Sequence, residues 1–297
     1  MNLPRIGITI GDPAGIGPEI IEKALQSSEV AAICNPKIIA IDEYQKKKAD
    51  VVIGKAQPLG GKIAVESFLS AISLAQSGKI DAIVTAPLNK EAMHMAGYTY
   101  GGHTEILAEK TSCTKYAMLF YSEPLKVILT TIHCSLASVP KLLTVEKLQS
   151  VIELGYQAML DLGIKNPRIG VAGLNPHAGE AGLFGNEEQE IILPVIELFR
   201  KKGWQIQGPL PPDTIFRAAV DGKYDLVVAQ YHDQGLIPLK LLAFDKAVNI
   251  TVGTPVIRTS VDHGTAYDIA GKGVANPSSL IEAIKVAVNL VNHKQRR

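Results

Sequence analysis

Three histidines, His133, His177 and His232, each follow a short β-branched run: KVILTTI, RIGVAG and DLVVAQ respectively. Imidazole is a ligand for zinc, cobalt, nickel and iron, and three imidazoles leave coordination positions open, as catalytic sites require. The spacing carries no signature such as HExxH or CxxC, so the same three residues read equally well as structural histidines. Asp213, in GPLPPDT, is reached through stiff prolines and reads either as a helix N-cap or as an acid/base group. Asp233 follows His232 in YHDQG and is a second candidate base, or the group that orients the imidazole. His103 and Thr104 stand in GGHTE, ahead of a helix expected over 106–110. They could bind phosphate there, or Thr104 could cap the helix beside a surface histidine. The segment Gly11–Glu19, GDPAGIGPE, has glycines that allow either a plain tight turn or the close approach of a ligand. The run 249–273 is dense in Gly, Thr and Asp and suits a loop wrapping a nucleotide. Within it Arg258 offers a planar fork to carboxylate or phosphate.

Such residues need a scaffold that brings them together. Strands are expected over 5–10, 37–41, 81–85, 126–132, 168–172 and 225–229, and helices over 18–26, 63–76, 145–162, 187–202 and 277–292. Strands separated by helices imply parallel sheets with right-handed crossovers. Open α/β sheets bind ligands beyond the carboxyl ends of their strands, which is where these motifs fall. The polar stretch 43–62, with its KKK run, is expected to be a solvated loop rather than a binding patch.

A chain of 297 residues, 46% apolar and 20% charged, suits a two-domain α/β enzyme. With 30 basic and 29 acidic residues its net charge of +1 gives no overall field for nucleic acid or an anionic membrane. An anionic substrate must therefore be held by local groups. Cys34, Cys113 and Cys134, an odd set without CxxC, argue against a disulfide framework or a cysteine-rich zinc site. The N-terminus lacks a signal-peptide pattern, and no apolar run approaches the ~18 residues of a membrane span, so a cytoplasmic protein is expected. There is no repeat and no obvious linker, as in a fold whose chain crosses between domains more than once.

Taken jointly, GDPAGIGPEI, TAPLNK, GGHTEILAE, LNPHAGE with GNEE, GPLPPDT, YHDQGLIPLK and TSVDHGTAYDIAGKG resemble the 4-hydroxythreonine-4-phosphate dehydrogenase family, in family order over nearly the whole chain. Gly15–Glu19 also resembles the GDGIGPE turn of the wider β-decarboxylating dehydrogenases, and His263–Gly273 with Asn276 resembles the adenosine-binding loop of isopropylmalate dehydrogenases. The resemblance implies an isopropylmalate dehydrogenase-like fold of two α/β/α domains with a cleft between them. A discontinuous first domain, 1–100 plus 228–297, would carry the cofactor loop, and a second, 101–227, the metal ligands and dimer contacts. It implies His133, His177 and His232 as metal ligands, and His103, Thr104, Lys240, Asn249 and Arg258 as substrate contacts. Gly264, Thr265, Asp268 and Asn276 fall on the cofactor side, with Asp213 and Asp233 as candidate bases. The implied cofactors are NAD or NADP and one divalent ion (zinc, cobalt or magnesium). The implied assembly is a homodimer sharing its active sites, so that one metal ligand can come from the partner chain.

The implied reaction oxidises 4-phosphooxy-L-threonine, a small phosphorylated amino acid, to a β-keto acid that loses CO2, in pyridoxine phosphate biosynthesis. The alternatives are a paralogue acting on phospho-erythronate, phospho-threonate or a cis-dihydrodiol carboxylate, a non-catalytic metal- or nucleotide-binding module, and a zinc hydrolase. The cofactor-like loop argues against the hydrolase. The chain is shorter than is usual for the family, and the shortening is expected before Ile63, away from the motifs.

Overall fold

The computed structural model describes residues 3–294. Ten strands lie among them: β1 (Arg5–Thr9), β2 (Asn35–Ile39), β3 (Ala82–Thr85), β4 (Ala117–Tyr121), β5 (Lys126–Leu129), β6 (Arg168–Ala172), β7 (Gln205–Leu210), β8 (Leu226–Ala229), β9 (Val248–Val252) and β10 (Arg258–Val261). The chain divides into two compact units, 1–114 with 248–297, and 115–247.

In the first unit the strand order is β2-β1-β3-β10-β9, parallel except that β9 runs against β10. All of β3, and β1 from Ile6 onward, is buried, which explains their unbroken apolar runs: both faces of the sheet are covered. The helix Pro58–Gln76 sets Val65, Phe68 and Ile72 against Ile39 and Ile83, and the helix Ser278–Lys294 packs on β3 and β10. In the second unit the order is β4-β5-β8-β6-β7, parallel except for the β4–β5 hairpin. Its core joins Val127, Leu129, Val227 and Ala229 to Phe216 and Leu239.

Both sheets are pinned by the same device. Arg5, opening β1, gives its backbone N–H (2.7 Å) and its guanidinium (3.1 and 2.6 Å) to the Asp81 carboxylate. Arg168, opening β6, does the same to Asp225 at 2.8, 2.9 and 2.7 Å. A bidentate fork plus a backbone donor fixes the register of neighbouring strands at their starts.

Several sequence expectations need correction. The sheets are mixed rather than wholly parallel, because β4–β5 and β9–β10 are joined by connections too short for a crossover. The unit boundaries fall at 114/115 and 247/248 rather than 100/101 and 227/228. The reason is that β8 pairs with both β5 and β6, while the helix His103–Lys110 packs on Pro58–Gln76. The stretch 43–62 is not one loop: it contains most of the helix Asp42–Lys47 and the start of Pro58–Gln76. Nor is it remote from the motifs, since Gly54 N–H donates to the Ala14 carbonyl at 2.8 Å.

Candidate active site

Arg258 stands on β10, between β3 and β9, and is 3% exposed. Its guanidinium donates to Thr85 Oγ1 (3.2 and 2.7 Å) and Thr251 Oγ1 (3.0 Å), and both acceptors are neutral hydroxyls. Burial pushes its pKa down to about 9, with Glu105 opposing, so it stays cationic at neutral pH. A buried cation whose hydrogen bonds go only to hydroxyls, with the Glu105 carboxylate acting at longer range, has capacity for an anion. His103 lies nearby, edge-on to Phe68 at 4.8 Å. Burial, reinforced by Arg258, drives its pKa well below the ordinary histidine value, so the ring is neutral. Its Nε2 and the Asn249 Oδ1 are buried without a hydrogen-bond partner among the described residues. Thr104 Oγ1 lies 3.5 Å from Thr251 Oγ1. Four of the five expected substrate residues thus belong to the first unit. Asn249 is reached through the β9–β10 register, where it faces Ser260. The fifth, Lys240, is on the helix His232–Ala243 of the second unit, its ammonium 5.7 Å from the Phe244 ring centroid. Thr104 is not an N-cap: the helix begins at His103, with Gly102 in the cap position.

The expected cofactor loop is locked onto the Gly11–Glu19 turn. Thr265 accepts the Ile16 N–H at 2.9 Å through its carbonyl and packs on Gly15. Tyr267 donates to the buried Asp12 carboxylate at 2.5 Å. Burial raises the Asp12 pKa against that bond, and it raises the Tyr267 phenol as well. Glu19 accepts the Gly273 and Ala275 N–H groups at 3.3 and 2.8 Å. Gly264 and Asp268 remain exposed, whereas Asn276 turns its side chain to the start of the helix Ser278–Lys294, accepting Ser278 N–H at 3.0 Å. The run 249–273 is therefore only partly loop, since β9 and β10 occupy much of it.

In the second unit, His133, Asp213, His232 and Asp233 line one cavity of ≈ 920 Å³ with Tyr231, Cys134 and the apolar Leu136, Ile237 and Leu241. His133 follows β5, His232 follows β8 and Asp213 follows β7, strands that share one direction. The two imidazoles are 5.9 Å apart. His232 Nδ1 pairs with Asp233 Oδ1 at 2.6 Å, which leaves Nε2 as the ring nitrogen available to a ligand. Asp213 is exposed and is not an N-cap, since the helix Ile215–Val220 has Thr214 in that position. The donor chemistry of two neighbouring imidazoles suits a divalent ion, but His177 does not line this cavity. Its Nδ1 is 3.0 Å from Glu180 Oε2 and its ring stands edge-on to Phe184 at 6.1 Å. Among the described residues no three His, Cys, Asp or Glu side chains are grouped to hold a metal ion.

Sequence reasoning passed over Asp12–Tyr267, although both lie in quoted blocks, because nothing in spacing shows that two segments 255 residues apart meet. It also gave no role to Glu188, in the GNEE block, a carboxylate only 2% exposed.

These features describe a two-unit α/β enzyme, and its relatives place it among the dehydrogenases. The chain belongs to the family of PdxA, the pyridoxal phosphate biosynthetic protein, whose model matches residues 10–287. It is 44% identical to the D-threonate 4-phosphate dehydrogenase of Cupriavidus necator, covering 98% of each chain. It is also 44% identical to the 4-hydroxythreonine-4-phosphate dehydrogenase of Desulforapulum autotrophicum, covering 96% of this chain and 95% of that one. The crystal structure of 4-hydroxythreonine-4-phosphate dehydrogenase from Klebsiella pneumoniae matches with a TM-score of 0.85 at 42% identity, over 97% of this chain and 98% of that one. The likeness extends to isocitrate dehydrogenase from Methylococcus capsulatus, TM-score 0.52 at 14% identity, which concerns the fold alone. No helix among the described residues is long and apolar enough to cross a membrane.

Proposed function

We propose that the chain is a metal-dependent NAD(P) dehydrogenase that oxidises 4-phosphooxy-L-threonine to 2-amino-3-oxo-4-phosphooxybutanoate, which loses CO2 to give 3-amino-2-oxopropyl phosphate. The observation that carries the reading is the buried Arg258, a cation with hydroxyl partners only, beside the unpartnered Nε2 of a neutral His103. That arrangement takes a phosphate or carboxylate and would destabilise a fold that had no anion to receive. Thr104 and Asn249 add a hydroxyl and an amide to the same anionic substrate, and Lys240 is assigned to the substrate by the resemblance of its block, YHDQGLIPLK.

When bound, NAD(P)+ accepts the hydride and a divalent ion such as zinc, cobalt or magnesium acidifies the substrate hydroxyl. His133 and His232 would hold that ion from one chain. Asp233 is engaged with His232 and orients it, which leaves Asp213 as the group to take the hydroxyl proton. The third imidazole, His177, would come from a second copy. Supporting this, Ile237 and Leu241 on the helix His232–Ala243 and Leu136, all lining the cavity, are 59%, 83% and 66% exposed, and Phe244 at the helix C-cap is 71% exposed, an apolar surface that a partner would cover. Gly264, Thr265, Asp268 and Asn276 are assigned to the nucleotide.

A second reading, oxidation of a phosphorylated threonate, is favoured by the Cupriavidus necator relative. The two substrates differ at C2, ammonium against hydroxyl, and share the phosphate that Arg258 would hold. Turnover of 4-phosphooxy-L-threonine and D-threonate 4-phosphate, with NAD+ and NADP+ and a panel of divalent ions, separates them. Reduced nucleotide from the first substrate at the higher kcat/KM supports the main reading. None from either substrate with any metal overturns both.

A further inference from the structure

His177 to Ala181 have φ of 53°, 55°, 82°, 44° and 55°, a complete turn of left-handed helix. For an L-residue other than glycine this costs about 1–2 kcal/mol, and four of these five residues are not glycine. Such a turn persists only where its surroundings impose it. Glu188 lies against this turn, at Gly179. It opens a π-helical turn, Glu188–Ile192, that runs into the helix Leu193–Lys201. Its Oε1 accepts the Leu174 and Asn175 N–H groups, both at 2.8 Å, and its Oε2 accepts Asn175 Nδ2 at 3.0 Å. A Cβ on Gly179 would come within 2.7 Å of Oε2 and one on Gly173 within 3.1 Å of Oε1, so the loop wraps the carboxylate closely. No cation pairs with Glu188 among the described residues, and its hydrogen-bond partners are these three N–H donors.

The His177 side chain is 66% exposed, and its one hydrogen-bond partner, Glu180, belongs to the same turn. Beyond the edge-on contact with Phe184, little packs on the ring, so its direction depends largely on the backbone that carries it. We propose that Glu188 is a positioning residue: its buried carboxylate fixes the left-handed turn and so the direction in which His177 is held out toward its ligand. The proposal rests on the reading of His177 as a metal ligand completed across two copies.

The test uses the full-length chain, stripped of metal and titrated calorimetrically with zinc, with amide exchange followed over 174–183. Glu188→Ala should speed exchange across that segment and weaken zinc binding by about 10- to 100-fold. It should lower kcat by a similar factor and leave the nucleotide KM within about twofold, since that site is built by the other unit. Glu188→Gln keeps one carbonyl oxygen for Leu174 and Asn175 and should recover most of the loss. Glu190→Ala, an exposed acid on the same turn, should match wild type. Wild-type zinc affinity in E188A, or E188Q no better than E188A, overturns the proposal. If E188A does not fold, Asn175→Ala, which removes the amide donor to Glu188 Oε2, decides instead: wild-type exchange over 174–183 and wild-type zinc affinity in that variant would overturn the proposal. His177→Ala separates the two readings. Wild-type zinc affinity there sinks the metal reading itself, whereas impaired H177A beside an unimpaired E188A sinks only the role of Glu188.

Discussion

The rings of His133 and His232 lie 5.9 Å apart between centroids and are tilted by 42°. They arrive from β5 and β8, hydrogen-bonded neighbours in register from Val127–Val227 to Leu129–Ala229, so the sheet and not a chance loop contact brings them together. His133→Ala or His232→Ala should abolish stoichiometric zinc, measured by elemental analysis after dialysis. Asp233→Asn should retain the ring but lose its orientation, with metal affinity down about 10- to 100-fold. Full metal content in H232A would refute the assignment.

Arg258 is expected to set substrate affinity. Arg258→Lys keeps the charge but not the fork that spans Thr85 and Thr251, and should raise the KM for the phosphorylated substrate by about 10- to 100-fold. The nucleotide KM should be unaffected. Steady-state kinetics with each component varied in turn checks this, and a rise confined to the nucleotide KM would move Arg258 out of the substrate site.

On the cofactor loop, Asp268→Ala should raise the nucleotide KM more than the substrate KM. Tyr267→Phe removes the bond to Asp12 and should do the same more weakly, since Glu19 still holds the loop at Gly273 and Ala275. Nucleotide titration followed by fluorescence reads both variants; unchanged affinity in both would detach this loop from the nucleotide.

The Arg168–Asp225 clamp predicts an acid-sensitive contribution to stability. Arg168 holds the Asp225 carboxyl below its usual pKa, so the fold favours the ionised form. The contribution is present above the ordinary carboxylate pKa of about 3.9 and is lost as pH falls through the lower folded value. Because Arg168 is half in water, Asp225→Asn should cost only about 1 kcal/mol at neutral pH. Urea denaturation at pH 7 and near pH ~3 checks this, the wild-type advantage shrinking at the lower pH. An advantage that persists in acid would assign the clamp's contribution to something other than its charge.

Leu241→Glu places a carboxylate on the most exposed apolar side chain of the helix His232–Ala243. The variant should be monomeric in analytical ultracentrifugation, with retained circular dichroism and little turnover. A fully active monomer would show that one chain suffices.

Much of this was legible in the sequence where chemistry is local. The buried strands β1, β3, β6 and β8 announced themselves as apolar runs, and the polar motifs after them fell where α/β sheets hold ligands. What stayed hidden depends on contacts between distant segments. β9 and β10 were concealed by a Gly- and Thr-rich composition that reads as loop, and the antiparallel hairpins by their brief connections. Arg258 was visible as a fork, but not as a buried one hydrogen-bonded only to hydroxyls, because burial of a cation shows only in the packed sheet. The three histidines looked alike in sequence. The fold separates them, since two follow adjacent strands into one cavity while the third is carried off on a turn of the opposite hand.

That turn restricts how the protein can change. A right-handed loop could drift by insertion or by substitution of its small residues, but residues 173–188 form a single closed piece, with both glycines pressed on the carboxylate they surround. A β-branched side chain at 178 or 181 would meet a backbone hand it scarcely tolerates. Anyone grafting this imidazole onto another scaffold would have to move all sixteen residues as one cassette, because the histidine alone carries none of the geometry that aims it.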